Sequence, residues 1–409
     1  MTERLYYTDP TLLEFDAQIV DFQPDGNRVR MVLDRSAFYP TSGGQLHDTG
    51  WLGSATDEVR LQIVEVAEAD DGTVLHLIDP AGMQVGIAKN SLLHFVVDRD
   101  RRRDHMQQHT GQHLLSAVFL SLFGAPTVSF HMGDETCTID LDTKGLSDQQ
   151  VRTAEARANE IVVEDVSVEI RFATPDEARA LGVRKIPGHV EDKLRLIEIK
   201  GHDLNACGGT HVSRTGEIGA ILLRKIEKVK QGMRVEFVCG RRAVATARQD
   251  FDTLTSAAAL FSSHLHDVPV QIRKTIDDAK SAGKREFKLQ EELAEFVALQ
   301  VLSEAPQRGG VRVVHKRFDD RDLNYVKLLA QRIVRRPNAV ALLACNQPQP
   351  SLVFAQSAGG PCDMGAWMKE AMASLGGRGG GARDMAQGGA PAGADLGAAL
   401  DAALARIPA

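Results

Sequence analysis

The chain has 409 residues, a formal net charge of −7, and 43% apolar and 25% charged residues. That length exceeds what one hydrophobic core supports, so about two to four domains are expected. The negative balance argues against a protein that coats nucleic acid non-specifically, although a local basic face is compatible with it. No apolar run reaches the length of a membrane span. The N-terminal "MTERLYYTDP" holds no apolar signal core, so a cytoplasmic protein is expected. The cysteines at 137, 207, 239, 345 and 362 form no CxxC pair, which fits reduced thiols.

Residues 1–95 read mainly as short strands. "RVRMVLDRS" and "LQIVEV" alternate apolar and polar positions, "TVLHLID" is a further apolar run, and "PDG", "DDG" and "SGG" supply turns. A small N-terminal β-barrel is expected. In "DRDRRRDHMQQHTGQHLLSAVFLSLFG" apolar residues recur at helical spacing until Gly124. A strand "CTIDLD", a polar helix over about 147–165, "VSVEIRF", a helical "TPDEARALG" and the strand "LRLIEIKG" follow, then "CGGTH" and the strand pair "GAILLRKIEKV" and "MRVEFVCG". This alternation predicts a two-layer α/β domain over 96–245. Residues 246–304 read as an extended helix or helical hairpin. Strands return in "GVRVVHKRF", "AVALLAC" and "SLVFAQSA", with a helical "DLNYVKLLAQRIVRR", so 305–409 forms a further α/β unit. The fold class is α+β multidomain, with no internal repeat.

Two fragments carry chemistry. On a helix, residues four apart share a face, so His109 and His113 of "QHTGQH" can offer two ring nitrogens to one ion. Cys207 and His211 of "CGGTH" are also four apart, and the glycines between them permit a tight turn. Three histidines and a cysteine suit zinc. Either pair alone is common on a solvated surface, and spacing does not decide between the two readings. The other cysteines read as buried thiols, and His131 and His202 as structural or supporting groups rather than ligands.

The wording of the motifs says more than their spacing. "DHMQQHTGQHLLSAVF" and "NACGGTHVSRTGEIG" resemble the two metal signatures of the alanyl-tRNA editing proteins, the AlaX family, and of the editing domain of alanyl-tRNA synthetase. "AFYPTSGGQLHDTGW" resembles the glycine-rich motif of that family's N-terminal barrel. "GGRGGGARDMAQGG" resembles the C-terminal DHH-associated domain that ends alanyl-tRNA synthetases. These motifs span nearly the whole chain in the family's order, like the long form of the family. There is no room for a class II aminoacylation domain before residue 37, so a free-standing editing protein is expected rather than a synthetase.

The resemblance implies hydrolysis of tRNA(Ala) carrying a wrong amino acid, chiefly Ser-tRNA(Ala), with Gly-tRNA(Ala) as a second candidate. It implies one zinc ion held by His109, His113, Cys207 and His211. It places Gln45 near the editing pocket, and Thr127 where the family often has a threonine that reads the serine hydroxyl. The synthetase motif reads HTATH where this chain has "HTGQH", so a synthetase-type role does not carry over to Gly111 or Gln112. Asp203 is a candidate for ordering water or a ligand, with turn capping as the alternative.

The segment 224–242 is locally basic: Arg224, Lys225, Lys228, Lys230, Arg234, Arg241 and Arg242 outnumber Glu227 and Glu236. It reads either as a phosphate-facing strip or as a solvated face. Arg101 to Arg103 form a second cluster. The glycine run at 376–389 lacks GxxxxGK[ST], which excludes a nucleotide-hydrolysing loop. It reads as a flexible linker by composition and as a terminal-domain element by resemblance. Homodimerisation through the helical segment or the terminal unit is compatible with the sequence. Competing readings are a non-catalytic, zinc-stabilised tRNA-binding protein and a zinc peptidase. The peptidase is disfavoured, because position 110 holds Thr where HExxH has its glutamate.

Overall fold

The computed structural model describes residues 2–53, 60–80, 88–183, 193–230 and 232–408. The chain folds as two compact units, Met1–Ser256 and Ala257–Ala409. No helix among the described residues is long and apolar enough to cross a membrane.

The first unit opens with β1 (Glu3–Arg4), a 3-10 turn over Leu5–Tyr7 and β2 (Glu14–Asp25), followed by β3 (Arg28–Leu33), β4 (Arg35–Ser36), β5 (Gly50–Leu52), β6 (Leu61–Glu68), β7 (Val74–Ile78) and β8 (Leu92–Val97). The strands β2-β3-β7-β6-β5-β8 close into a six-stranded barrel, as the alternating pattern predicts. Closure leaves no open edge, and Phe15, Ile19, Met31, Ile63, Ile78 and Phe95 fill the interior.

Next come α1 (Arg99–Phe123), β9 (Thr127–Met132), β10 (Cys137–Leu141), α2 (Asp148–Glu164), β11 (Val168–Ala173), α3 (Pro175–Ala180), β12 (Leu194–Ile199), β13 (Asp203–Ala206), β14 (Ile221–Val229) and β15 (Gly232–Cys239). One sheet runs β14-β15-β10-β9 and a second runs β11-β12-β13. β9 and β13 lie outside the strands expected from periodicity. β9 buries only Met132 and β13 has four residues, so neither shows the buried apolar alternation that marks a strand. Asp98 caps α1 by accepting from the N–H groups of Asp100 and Arg101, and Gly124 ends it with φ 61°.

Helix α1 is buried on nearly every side from Arg102 to Phe119. Leu114, Leu115, Val118 and Phe119 pack with Ala154, Ala158 and Ile161 of α2 and Ile139 and Phe237 of the sheet. Its buried amides are satisfied individually. Gln108 exchanges two hydrogen bonds with the Cys239 backbone, at 2.8 and 2.9 Å, and Gln107 donates to Glu217 O at 2.9 Å. Gly111 lies where a Cβ would stand 2.3 Å from Cys239 Sγ, so a side chain there would push the helix off the sheet. That close approach accounts for the glycine in "HTGQH".

The barrel holds α1 through one ion pair. The Arg102 guanidinium, 1% exposed, meets the Asp48 carboxylate at 2.6 Å and also donates to Pro10 O and Ala37 O. Asp48 in turn accepts from Tyr39 N–H at 2.7 Å.

α4 (Gly240–Leu260) runs from the first unit into the second. The second unit continues with α5 (Val268–Glu304), β16 (Gln307–Arg308), β17 (Val311–Asp322), α6 (Leu323–Val334), β18 (Ala339–Gln347), β19 (Ser351–Gln356), α7 (Met364–Ser374), β20 (Arg378–Gly381), β21 (Met385–Gly389) and α8 (Leu396–Leu404). Its sheet runs β16-β17-β18-β19-β21-β20. Ala341, Leu343 and Cys345 of β18 face α5 and α6, while Val340, Leu342 and Ala344 face α7 and α8. A strand covered on both faces reads as the unbroken apolar run "AVALLAC". The glycine run is not a linker: it forms the β20–β21 hairpin. A Cβ at Gly379 or Gly388 would stand 2.7 or 2.5 Å from Met372 Cγ, so these glycines let α7 lie close on the hairpin.

Replacing Arg102 with Leu leaves Asp48 as a buried, uncompensated charge. We expect a loss of about 3–5 kcal/mol, read from urea unfolding of the full chain. A change under about 0.5 kcal/mol would show that Arg102 does not fasten α1 to the barrel.

Candidate metal centre

His109 and His113 sit one turn apart on α1, and Cys207 and His211 sit on the loop that follows β13. One potential ligand atom from each of the four lies within 4.8 Å of all the others. His109 Nε2 is 3.4 Å from Cys207 Sγ, and His211 Nε2 is 3.3 Å from it. The histidines are 3%, 7% and 2% exposed, so water does not compete freely for their nitrogens.

Each histidine is turned by a partner on its other nitrogen. His109 Nδ1 donates to Gln45 Oε1 at 2.7 Å. The Thr210 N–H donates to the same oxygen at 3.0 Å, and Gln45 Nε2 donates to Thr210 Oγ1 at 2.8 Å. Those two bonds fix which end of the amide is oxygen, and hence that His109 Nδ1 carries hydrogen. His113 Nδ1 lies 3.2 Å from Asp203 Oδ2, and Asp203 also accepts from Asn205 Nδ2 at 2.7 and 2.8 Å. His211 Nδ1 lies 3.1 Å from Thr110 Oγ1, which accepts from Val212 N–H at 3.1 Å. Three Nε2 atoms are thereby left to face the sulfur. Such outer partners are the usual means of orienting metal-binding imidazoles.

The glycine pair of "CGGTH" serves a close approach. A Cβ on Gly209 would stand 2.2 Å from His109 Cε1 and 2.7 Å from Gln45 Oε1. Gly209 N–H also points at Cys207 Sγ, at 3.4 Å.

Electrostatics suit a cation. Burial alone would push the Cys207 thiol up, but His109 and His211 beside it hold it well below the usual thiol range. Burial, and then His109, keep His211 neutral by pushing its pKa far down. Burial opposes the charge on His113, but its hydrogen bonds to Asp203 and Cys207 raise its pKa to about 10. Ligands bind a metal in their deprotonated forms, so a divalent cation bound here would take the place of the proton that His113 otherwise holds. Three imidazoles and a thiolate, with ring orientations already set, fit zinc.

Of the other predicted residues, Gln45 and Asp203 touch the candidate ligands directly. Thr127, at the start of β9, donates to Ser116 Oγ at 2.7 Å, and Gln112 Nε2 donates to the same oxygen at 2.9 Å. Three residues further along β9, Phe130 stacks on the His109 ring with centroids 5.5 Å apart. Arg224 pairs with Asp250, Lys225 with Glu227 and Arg234 with Asp140. Lys228 and Lys230 are exposed and have no ion pair among the described residues. Sequence reasoning missed Thr110, Asn205, Thr210, Phe130 and Arg195. Thr110, Asn205 and Thr210 lie inside the quoted motifs and were legible as neighbours, whereas the roles of Phe130 and Arg195 depend on distant contacts.

Residues 194–235 match the model of the threonyl and alanyl tRNA synthetase second additional domain, and residues 3–101 match that of tRNA synthetases class II (A). The alanyl-tRNA editing protein AlaX-L of Pyrococcus horikoshii is 31% identical over 390 residues, covering 95% of this chain and 94% of that protein. The chain belongs to the alanyl-tRNA editing protein family. The alanine–tRNA ligases of Archaeoglobus fulgidus and Natronomonas pharaonis are 30% and 33% identical over 95% of this chain, which spans 42% of each ligase. In this family member the stretch 194–235 holds Cys207, His211 and Asp203, and 3–101 holds Gln45, while His109 and His113 lie between the two.

Gly209→Ala is expected to swing His109 away from Gln45 and weaken zinc binding by roughly 10- to 100-fold, measured by titrating the metal-stripped chain with a competing chelator. Unchanged affinity would mean that the loop does not position His109.

Proposed function

We propose that this chain hydrolyses the ester of wrongly charged tRNA(Ala), chiefly Ser-tRNA(Ala), with Gly-tRNA(Ala) as a second substrate. The carrying observation is the convergence of His109, His113, Cys207 and His211, each imidazole oriented from behind, in a chain aligned along its length with an alanyl-tRNA editing protein. One zinc ion held there would polarise the ester carbonyl and lower the pKa of water toward neutrality. Gln45, Asp203 and Thr110 act by holding the histidines that bind it. The pocket excludes bulk water through the burial of α1 and the ring of Phe130 against His109.

Thr127 supplies serine recognition together with Ser116. Ser116 Oγ accepts from both Thr127 and Gln112, so its own proton stays available to a hydroxyl of the ligand. Alanine would leave that donor unpaired, which is the asymmetry a polar pocket uses to reject it. We further propose that the barrel spans 1–95, the editing domain 96–245, the helical linker 246–304 and a DHH-associated domain 305–409. Of the basic strip, Lys228 and Lys230 are the best phosphate contacts, because Arg224, Lys225 and Arg234 are engaged by carboxylates. An acidic chain that binds tRNA through such a strip loses affinity steeply with salt.

The test is deacylation of Ser-, Gly- and Ala-tRNA(Ala) by the purified chain, with and without a chelator. Ser-tRNA(Ala) should be cleaved fastest, and chelation or Cys207→Ala should slow cleavage roughly 100-fold or more. If zinc is bound but nothing is hydrolysed, the chain is a tRNA-binding protein instead. Thr127→Val should reduce the serine-over-alanine preference roughly 3- to 10-fold, and an unchanged ratio would remove Thr127 from recognition.

A further inference from the structure

Arg195 on β12 is a cation buried without an acidic partner. Its side chain belongs to a residue only 6% exposed, and among the described residues no carboxylate pairs with it. The guanidinium instead grips the candidate metal loop. Nη1 donates to Cys207 O at 2.7 Å and to Gly209 O at 2.9 Å, and Nε donates to Tyr7 O at 2.8 Å. Cys207 N–H returns a bond to Arg195 O at 3.1 Å. The Tyr7 ring lies against the guanidinium, 5.5 Å from its carbon, and Nη2 has no hydrogen-bond partner.

The guanidinium holds three carbonyls, one more than the two N–H donors of a glutamine amide could serve, and it does so at the cost of desolvating an ion. A guanidinium that stays charged in this position is favoured by a nearby anion. One of the residues whose carbonyl it grips is Cys207, and the loop folds the Cys207 sulfur, the anionic donor when a metal is bound, beneath the Gly209 N–H. We propose that Arg195 is a positioning residue of the metal centre, which clamps the carbonyls flanking the thiolate and tempers the sulfur's electron donation with its charge. This rests on the reading that the four-residue cluster binds a metal. A thiolate beside a fixed cation is a weaker donor, and it leaves a bound metal a stronger Lewis acid. The same contact ties the N-terminal turn at Tyr7 to the loop.

The test uses Co2+ as the probe in the full chain, stripped of metal and reloaded. The sulfur-to-cobalt charge-transfer band reports the energy of the sulfur electrons directly. A cation near the sulfur stabilises those electrons by Coulomb attraction, so removing it should move the band to longer wavelength. We expect that red shift in Arg195→Gln and Arg195→Met, and a return toward the wild-type band in Arg195→Lys. Arg195→Met should also weaken Co2+ binding roughly 10- to 100-fold. Bands that coincide in wild type, Arg195→Gln and Arg195→Met overturn the proposal and leave Arg195 as a packing residue. If Arg195→Met fails to fold by circular dichroism, the Gln and Lys variants decide. A wild-type chain that takes up no Co2+ overturns the metal reading, and this one with it.

Discussion

One oxygen atom ties the first unit's functional parts together. Gln45 Oε1, fully buried, accepts from His109 Nδ1 on α1 and from Thr210 N–H on the loop that carries the candidate ligands Cys207 and His211. Gln45 itself comes from the barrel. Three chain segments thus meet at one acceptor, across separations of 64 and 165 residues. A buried amide must be satisfied on both ends, so its partners are mutually constrained. Moving the barrel loop turns His109, and moving His109 disturbs the turn that carries Cys207 and His211.

The rest of the unit secures that meeting point. The buried Arg102–Asp48 pair fixes α1 against the barrel, and Asp48 and Gln45 lie on the same stretch that leads into β5. Gly111 lets the opposite face of α1 approach Cys239, and Gly209 lets the Cys207–His211 loop approach His109. The helix is polar where it faces the site and apolar where it faces α2, and both sides are buried. A helix with so many buried Gln, His and Thr residues is a poor amphipath. It is stable because each polar group has a partner, which makes α1 intolerant of local repacking.

Much of this was legible from the residues. The barrel followed from alternating strands with turn signals and α1 from its spacing and its Gly124 stop, whereas the two i, i+4 relations marked candidate ligands without deciding for a metal. The resemblance to the alanyl-tRNA editing proteins rested on whole motifs and agrees with the family found by comparison. Less was legible where composition misleads. The glycine run at 376–389 has linker composition, yet it is a hairpin whose missing side chains make room for Met372. The basic strip at 224–234 has the composition of a phosphate surface, yet Arg224, Lys225 and Arg234 are occupied by carboxylates, one of them on the neighbouring strand β10.

The sequence by itself determined which side chains are candidate ligands, because ligand chemistry is a property of residue type and the i, i+4 spacing of His109 and His113 is a property of the helix. It also determined where α1 ends, since the stop at Gly124 is local. The tertiary structure alone decided that His109 answers to Gln45, His113 to Asp203 and His211 to Thr110. It also decided that Arg195 stands behind Cys207. These pairings carry no periodicity. A hydrogen bond is specific to a few tenths of an ångström, and only the packed fold brings residues so far apart in the chain within that distance.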